Sequence, residues 1–116
     1  MRKVTVAAIQ MNNRRVVSEN IAKAEKLVRE AAEKGAQIIL LPELFERQYF
    51  CQERRYDYYD FAKKTEENDA VIHFRKICKE LSVVMPISFY EKDGNTLFNS
   101  VAVIDADGEI LGVYRK

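Results

Sequence analysis

The stretch that decides the fold is residues 37–43, QIILLPE, a short continuous apolar run that ends at a proline and a glutamate. Such a run predicts a short β-strand. It follows a helical pattern over residues 18–34, and that pattern follows an apolar, β-branched run over residues 3–11. Strand, helix and strand within about forty residues predict a βαβ unit with two parallel strands, the first of them buried.

The helical pattern has one apolar face and one charged face. Apolar residues recur at helical spacing: Ile21, Ala24, Leu27, Val28, Ala31 and Ala32. Ser18 stands where an N-cap is expected, and Gly35 provides a C-terminal stop. Opposite charges four residues apart, such as Glu25 and Arg29, predict a solvated outer face.

The C-terminal half of the chain predicts one more helix and then three strands. The helix is expected from about Asn68 to Leu81, because apolar residues line one of its faces: Val71, Phe74, Ile77, Cys78 and Leu81. Asp-Gly pairs, which are typical of hairpins, separate three β-like runs over residues 83–90, 97–105 and 109–114. The whole pattern predicts an α/β layer structure whose sheet mixes parallel and antiparallel pairs.

Composition limits the classes of protein that fit. The chain has 116 residues, of which 47% are hydrophobic and 32% charged, and its formal net charge is +1. This length supports one compact domain with a core of its own. A near-neutral charge without a long basic run argues against nucleic-acid binding. Without a membrane-length apolar run or a signal-peptide pattern, we expect a cytoplasmic protein that does not bind membranes.

The cysteines and the histidine do not form a metal motif. Cys51 and Cys78 lack a CxxC spacing, and His73 is the only histidine in the sequence. Zinc sites need four such ligands at characteristic spacings. We therefore expect no metal, no other cofactor and, in a reducing compartment, no disulfide.

Two charged residues follow predicted strands. In open α/β sheets, functional sites gather at the C-terminal ends of strands. Glu43 follows the second strand, where apolar neighbours would raise its pKa toward that of a general base, and Lys116 follows the last β-like run, where an ammonium group can stabilise an oxyanion. The residues alone leave two alternatives open. Glu43 can be a carboxylate that only caps a strand end or forms an ion pair there, and Lys116 can be a solvated terminal lysine.

An aromatic cluster follows Glu43 in the sequence. Its members are Tyr49, Phe50, Tyr56, Tyr58, Tyr59 and Phe61. Aromatic side chains of this kind line a pocket, form an oligomer contact or pack in the interior. Tyr49 and Phe50 come soonest after Glu43, so we expect these two residues to form the wall of a substrate pocket.

Six strings, in this order and spacing, resemble the nitrilase (carbon-nitrogen hydrolase) superfamily and, within it, the N-carbamoylputrescine amidases. They are PELFE at 42–46, YFCQ at 49–52, PISFYE at 86–91, NS at 99–100, IDADG at 104–108 and GVYRK at 112–116. The resemblance covers the entire chain. It implies the N-terminal part of an α-β-β-α sandwich over residues 1–116, with helices on one face of the sheet, in a protein that assembles into homo-oligomers.

The resemblance also implies a Glu-Lys-Cys triad that hydrolyses a small carbamoyl amine or amide. Glu43 matches the general base and Lys116 the catalytic lysine. The family's nucleophilic cysteine is expected beyond residue 116, because family members are more than twice as long and neither Cys51 nor Cys78 lies in a nucleophile-like motif. The 116-residue chain by itself is therefore expected to be inactive. The candidates to hold the distal ammonium group of putrescine are Glu46, Glu53 and acidic groups expected beyond residue 116.

Two other hypotheses compete with this one. The first is a non-catalytic half-fold module that assembles with itself or with a longer relative, since half of a sandwich leaves apolar sheet surface uncovered. The second is a small α/β ligand-binding domain unrelated to nitrilases. A stable monomer at high concentration would count against the module, and a structure without sandwich-like layers would favour the ligand-binding domain.

Overall fold

The computed structural model describes residues 1–48 and 56–116. These residues form five strands, two α-helices and two short 3-10 helices. In chain order the elements are β1 (Val6–Ala8), α1 (Val17–Glu33), β2 (Ile38–Leu40), the 3-10 helices Tyr56–Phe61 and Thr65–Glu67, α2 (Asp69–Leu81), β3 (Met85–Asp93), β4 (Thr96–Ile104) and β5 (Ile110–Arg115). The predicted order of helices and strands is confirmed.

The strands form a mixed sheet. β1 pairs in parallel with β2, as the βαβ prediction requires, while β3, β4 and β5 form an antiparallel meander. A parallel bridge between Ile38 and Val84 joins the two groups, and the Ile39 N–H donates to the Val84 carbonyl at 3.0 Å. The pairings make β2, β3 and β5 run in the same direction. The C-terminal ends of β2 and β5 therefore lie at the same end of the sheet.

One face of this sheet packs against α1 and α2. The buried cluster between the layers includes Val28 from α1, Phe74 from α2, and Ile39 and Ile87 from the sheet. Phe45, just after β2, meets Phe74 edge-on with ring centroids 5.7 Å apart. The predicted arrangement of helices on one face of a mixed sheet is confirmed.

The other face of the sheet is apolar and open among the described residues. It carries Val6, Ile38, Leu40 and Tyr114, which we call the open sheet face, and their exposed fractions run from 38% at Ile38 to 70% at Tyr114. The prediction of a buried first strand over residues 3–11 is wrong. β1 has only three residues, and Ala7 alone is half-buried against the helix layer. The reason is that the described helices cover a single face of the sheet.

The N-terminal end of α1 differs from the prediction. The helix begins at Val17 with Val16 as N-cap and no side-chain cap, so Ser18 lies inside the first turn. Asn20 ties the preceding loop to the helix instead: its Oδ1 accepts from the Arg14 N–H and its Nδ2 donates to the Arg14 carbonyl, both at 2.7 Å. At the other end Gly35 follows the helix with φ +93°, as a C-terminal stop requires.

α2 matches its prediction closely. Asn68 is its N-cap, and the Asn68 Oδ1 accepts from the Val71 N–H at 3.0 Å. Every predicted apolar position of α2 but the last, Leu81, is buried. Within the described residues no helix is long and apolar enough to cross a bilayer.

Candidate active site

Glu43 and Lys116 lie 73 positions apart in the sequence but meet at one end of the sheet. The Lys116 Nζ lies 3.2 Å from the Glu43 Oε1. The side chains remain 42% exposed at Glu43 and 69% exposed at Lys116. The structure thus brings the two predicted site residues into contact, because β2 and β5 end on the same side.

A tight turn holds Glu43 after β2. Leu44, the next residue, has φ +51°, a left-handed conformation that is uncommon for a leucine. Its N–H donates to the buried Ser88 Oγ at 3.0 Å, and its side chain is buried. A residue in this conformation persists only where its surroundings fix it. β3 therefore supports the turn directly beside the carboxylate.

A buried polar network lies beneath the same turn. The Glu46 carboxylate accepts from the Asn68 Nδ2 at 2.9 Å, and the Glu46 carbonyl accepts from the Asn20 Nδ2 at 2.9 Å. These bonds join the turn to the first turns of α1 and α2. Burial raises the pKa of Glu46 above its ordinary value. Glu46 is only 6% exposed, which argues against a direct contact with the ammonium group of a substrate.

Asn99 is a third member of the site, and sequence reasoning did not assign it a role. Its Nδ2 donates to the Glu43 Oε1 at 2.5 Å, and its backbone carbonyl accepts from the Lys116 N–H at 3.0 Å. A signal was available in the sequence. The predicted hairpin between residues 97–105 and 109–114 places an asparagine of one strand near the lysine that ends the other.

Hydrogen bonding sets the charge state of Glu43. The Asn99 amide, followed by the Lys116 ammonium group, lowers the pKa of Glu43 below its ordinary value. The predicted rise is wrong because the carboxylate stays partly exposed and gains two donors, whose effect exceeds that of desolvation. Glu43 is therefore an ionised acceptor near neutral pH.

The residue before Lys116 is anchored in the sheet. The Arg115 guanidinium makes two hydrogen bonds to the Glu91 carboxylate: Nε donates to Oε1 at 2.9 Å, and Nη2 donates to Oε2 at 2.8 Å. Glu91 is 5% exposed and also accepts from the Ser100 Oγ at 2.7 Å. The Arg115 pair lowers the pKa of Glu91. A two-pronged contact of this kind fixes the end of β5 and with it the backbone that leads to Lys116.

The structure describes one of the two cysteines, Cys78. Cys78 is a free, buried thiol on α2, and burial raises its pKa to about 12. A thiol with that pKa is uncharged at neutral pH and is a poor nucleophile. Cys51 lies outside the described residues, as do Tyr49, Phe50 and Glu53.

Part of the aromatic cluster packs against its own members and against Arg47. The rings of Tyr58 and Phe61 lie 5.2 Å apart, and the Arg47 guanidinium lies 3.9 Å from the centroid of the Phe61 ring. Tyr59 is 53% exposed. The described members therefore include both packed and exposed rings, as the alternatives from the sequence allowed.

The fold is that of an α/β protein with a mixed sheet, helices on one face and a carboxylate-lysine pair at its strand ends. The family model of carbon-nitrogen hydrolases matches residues 5–116. The chain therefore belongs to the carbon-nitrogen hydrolase family, which confirms the family that the six strings suggested.

Individual relatives agree with this assignment. The chain is 54% identical over 98% of its length to the N-carbamoylputrescine amidase of Oryza sativa subsp. japonica, and it covers 38% of that protein. It is 43% identical over 100% of its length to the citrullinase of Francisella tularensis, of which it covers 41%. The chain thus spans about two fifths of the length of these curated relatives.

Solved structures show the same fold. A carbon-nitrogen hydrolase from Helicobacter pylori matches 97% of this chain with a TM-score of 0.87 and 26% identity, and the match covers 39% of that chain. A structure of an N-terminal amidase matches with a TM-score of 0.83 and 24% identity, which supports the fold alone. The nitrilase-like fold expected from the sequence is confirmed.

Proposed function

We propose that this chain supplies the base and the lysine of a Glu-Lys-Cys thiol amidohydrolase that converts N-carbamoylputrescine into putrescine, ammonia and carbon dioxide. The observation that carries the proposal is the 3.2 Å contact between Lys116 and Glu43 at the ends of β5 and β2. The 54% identity to the rice N-carbamoylputrescine amidase supports the choice of substrate.

The proposed reaction has two stages. The ionised Glu43 takes the proton of a cysteine thiol, the thiolate attacks the carbamoyl carbon, and Lys116 stabilises the tetrahedral oxyanion. Glu43 then gives the proton to the leaving nitrogen, so that ammonia departs and a thiocarbamate remains. Water, activated by Glu43, then hydrolyses the thiocarbamate, which restores the thiol and releases a carbamic acid. That acid separates into amine and carbon dioxide. One water molecule is consumed in each cycle.

The nucleophilic cysteine is proposed to lie beyond residue 116. Residues 1–116 are then the N-terminal part of a single hydrolase domain, and Tyr49 and Phe50 line its substrate pocket. Burial raises the pKa of Cys78 to about 12, which supports the proposal that a different cysteine is the nucleophile. The 116-residue chain alone is predicted to be inactive, because a base and an oxyanion stabiliser without the nucleophile lose most of the rate enhancement.

The proposed substrate class follows from a chemical group that is common to the substrates named for two relatives. N-carbamoylputrescine and citrulline both carry a terminal ureido group on an alkyl chain, and they differ at the distal end. We propose a small ureido compound as substrate and a cytoplasmic homo-oligomer as the working form. Comparing the two compounds in one assay separates an ammonium-selective pocket from one that accepts an amino acid.

A second candidate function is a non-catalytic module that assembles with itself or with a longer relative. The open sheet face favours it, since Leu40 is 49% exposed and Val6 is 68% exposed. Apolar surface of this kind is typical of a face that binds another protein surface.

Ammonia release tests the catalytic proposal. We expect the natural polypeptide that carries this sequence to release ammonia from N-carbamoylputrescine, and Glu43→Gln and Lys116→Met each to lower kcat by about a hundredfold or more. Glu66→Gln, a matched change at an exposed glutamate, should leave kcat unchanged. Full activity of Glu43→Gln would contradict the proposal.

The intact mass of the natural polypeptide separates the two candidates. A natural product much heavier than the 13.5 kDa of this chain supports the hydrolase. A natural product of that mass that releases no ammonia supports the module. Ammonia release by the pure 116-residue chain would overturn the predicted inactivity.

A further inference from the structure

Asn99 contacts both charged residues of the candidate site. Its side chain reaches Glu43 at 2.5 Å, while its backbone carbonyl holds the Lys116 N–H at 3.0 Å. β4 carries Asn99 between β3 and β5, and Asn99 lies directly opposite Tyr90 in the register. A residue in the middle of a meander is held on both sides, so it offers a rigid support for the two side chains.

The contact distinguishes the two oxygens of the Glu43 carboxylate. Asn99 Nδ2 and Lys116 Nζ both approach Oε1. Among residues 1–48 and 56–116, no donor lies within hydrogen-bonding distance of Oε2. An oxygen without a donor is the better proton acceptor of the pair, since hydrogen bonds to a carboxylate oxygen stabilise its charged form.

The amide group suits this position better than the common alternatives. An amide nitrogen only donates, so it approaches Oε1 without repulsion. An aspartate at position 99 would place a second carboxylate against Glu43, and like charges at this distance raise the pKa of one of them. An alanine would leave Lys116 as the one side chain among residues 1–48 and 56–116 that donates to Glu43.

We infer that Asn99 is a positioning residue: it holds Glu43 through Oε1 and Lys116 through its backbone carbonyl, so that Oε2, which has no donor among the described residues, takes the proton of the nucleophile. This inference rests on the proposed function of Glu43 and Lys116. The inference adds a role for Asn99 to that function. Asn99 fixes the distance between Glu43 and Lys116, and it determines which carboxylate oxygen of Glu43 accepts the proton.

Kinetics of the natural polypeptide on N-carbamoylputrescine test the inference. Asn99→Ala is expected to lower kcat by about tenfold to a hundredfold, with KM within about twofold, because a hydrogen bond to a charged group is lost. The acid limb of kcat/KM should move to higher pH in Asn99→Ala and farther in Asn99→Asp. Asn95→Ala, the same change at an exposed residue of the β3–β4 turn, should match the wild type.

The pH profile separates positioning from a purely structural effect. A loss of activity in Asn99→Ala without any shift of the acid limb would overturn the inference, and so would wild-type kinetics. Asn99→Asp is nearly isosteric, so it keeps the test decisive if Asn99→Ala does not fold.

A titration that does not depend on activity separates this inference from the proposed function. Carbon-13 labelling of glutamate carboxyl groups, with Glu43→Gln used for assignment, follows Glu43 by NMR. Asn99→Ala should raise the pKa of Glu43, whereas Asn95→Ala should not. An unchanged Glu43 titration overturns the role of Asn99. A wild-type protein that releases no ammonia, with the expected titration, overturns only the proposed function.

Discussion

Glu46 shows how a single residue links the candidate site to the stability of the protein. Burial raises the pKa of its carboxyl group above 4.5, so the folded protein binds a proton over a pH range in which the unfolded chain has released it. This group therefore makes folding less favourable as pH rises from 4.5 toward the folded-state pKa. The Asn68 hydrogen bond partly offsets that effect.

Replacing Glu46 tests the direction in which this residue changes stability with pH. Glu46→Gln keeps an acceptor for Asn68 and removes the charge, so its free energy of unfolding relative to wild type should rise between about pH 4 and pH 7. Glu46→Ala leaves the Asn68 amide unpaired and should lose roughly 1–3 kcal/mol. Urea unfolding at both pH values measures the difference, with Glu66→Gln as the exposed control. An effect of Glu46→Gln that is equal at both pH values would contradict the burial argument.

Sequence reasoning at the residue scale placed Glu43 and Lys116 at strand ends because apolar runs mark strands, whereas the roles proposed for them came from the resemblance to nitrilases. It assigned no role to Asn99, because the contact with Glu43 joins residues 56 positions apart and depends on the register of β4. It also misjudged the direction of the Glu43 pKa. Neighbours in sequence predict desolvation, but the donors that outweigh desolvation come from other strands.

At the scale of elements, Gly108 joins the β4–β5 turn to α2. It has φ +86°, and a Cβ added there would lie 2.8 Å from the Arg75 carbonyl oxygen in α2. The Arg75 Nε also donates to the Gly108 carbonyl at 2.8 Å. The turn thus lies against the helix with no room for a side chain.

Gly108→Ala is therefore expected to destabilise the protein by about 2–4 kcal/mol, the sum of left-handed strain and a backbone clash. Gly35→Ala provides the matched control, because Gly35 has φ +93° and no atom of the described part of the chain lies within 4 Å of the added Cβ. It should lose only about 1 kcal/mol. Thermal unfolding followed by circular dichroism compares the two variants. Equal losses would show that the contact with α2 contributes nothing.

The two helices show which element boundaries a sequence can define. α2 was predictable at both ends because Asn68 caps it and its apolar face is regular. The beginning of α1 was not, since Ser18 is a favourable cap residue but the loop before the helix is held by Asn20, whose side chain makes two hydrogen bonds to Arg14. Local propensity names candidates for a cap, and tertiary contacts select among them.

At the scale of the whole molecule, the sequence predicted the mixed sheet but not which strands are covered. The apolar run that contains β1 suggests burial on both sides, whereas Val6 is 68% exposed and Ala8 is exposed as well. Hydrophobicity alone does not distinguish a strand residue that faces the core under α1 and α2 from one that lies on the opposite face of the sheet. The resemblance to a sandwich supplied what the pattern could not, because a sandwich needs an apolar second face.

The open sheet face leads to a prediction for the 116-residue chain made by itself. Exposed apolar side chains on an uncovered sheet face favour association, so we expect this chain to self-associate in solution. Leu40→Glu places a charge on this face, where burial against another copy is strongly unfavourable, and should weaken self-association by about a hundredfold or more.

Ile72→Glu is the matched control for that change. Ile72 is 41% exposed but lies on α2, away from the open sheet face, so its replacement should leave association unchanged. Sedimentation velocity over a range of protein concentrations measures the effect. If Leu40→Glu shifts the chain to monomer and Ile72→Glu does not, the apolar sheet surface drives association. A wild-type chain that stays monomeric at high concentration would mean that the exposed side chains at Val6, Ile38, Leu40 and Tyr114 are too dispersed to bind a second copy.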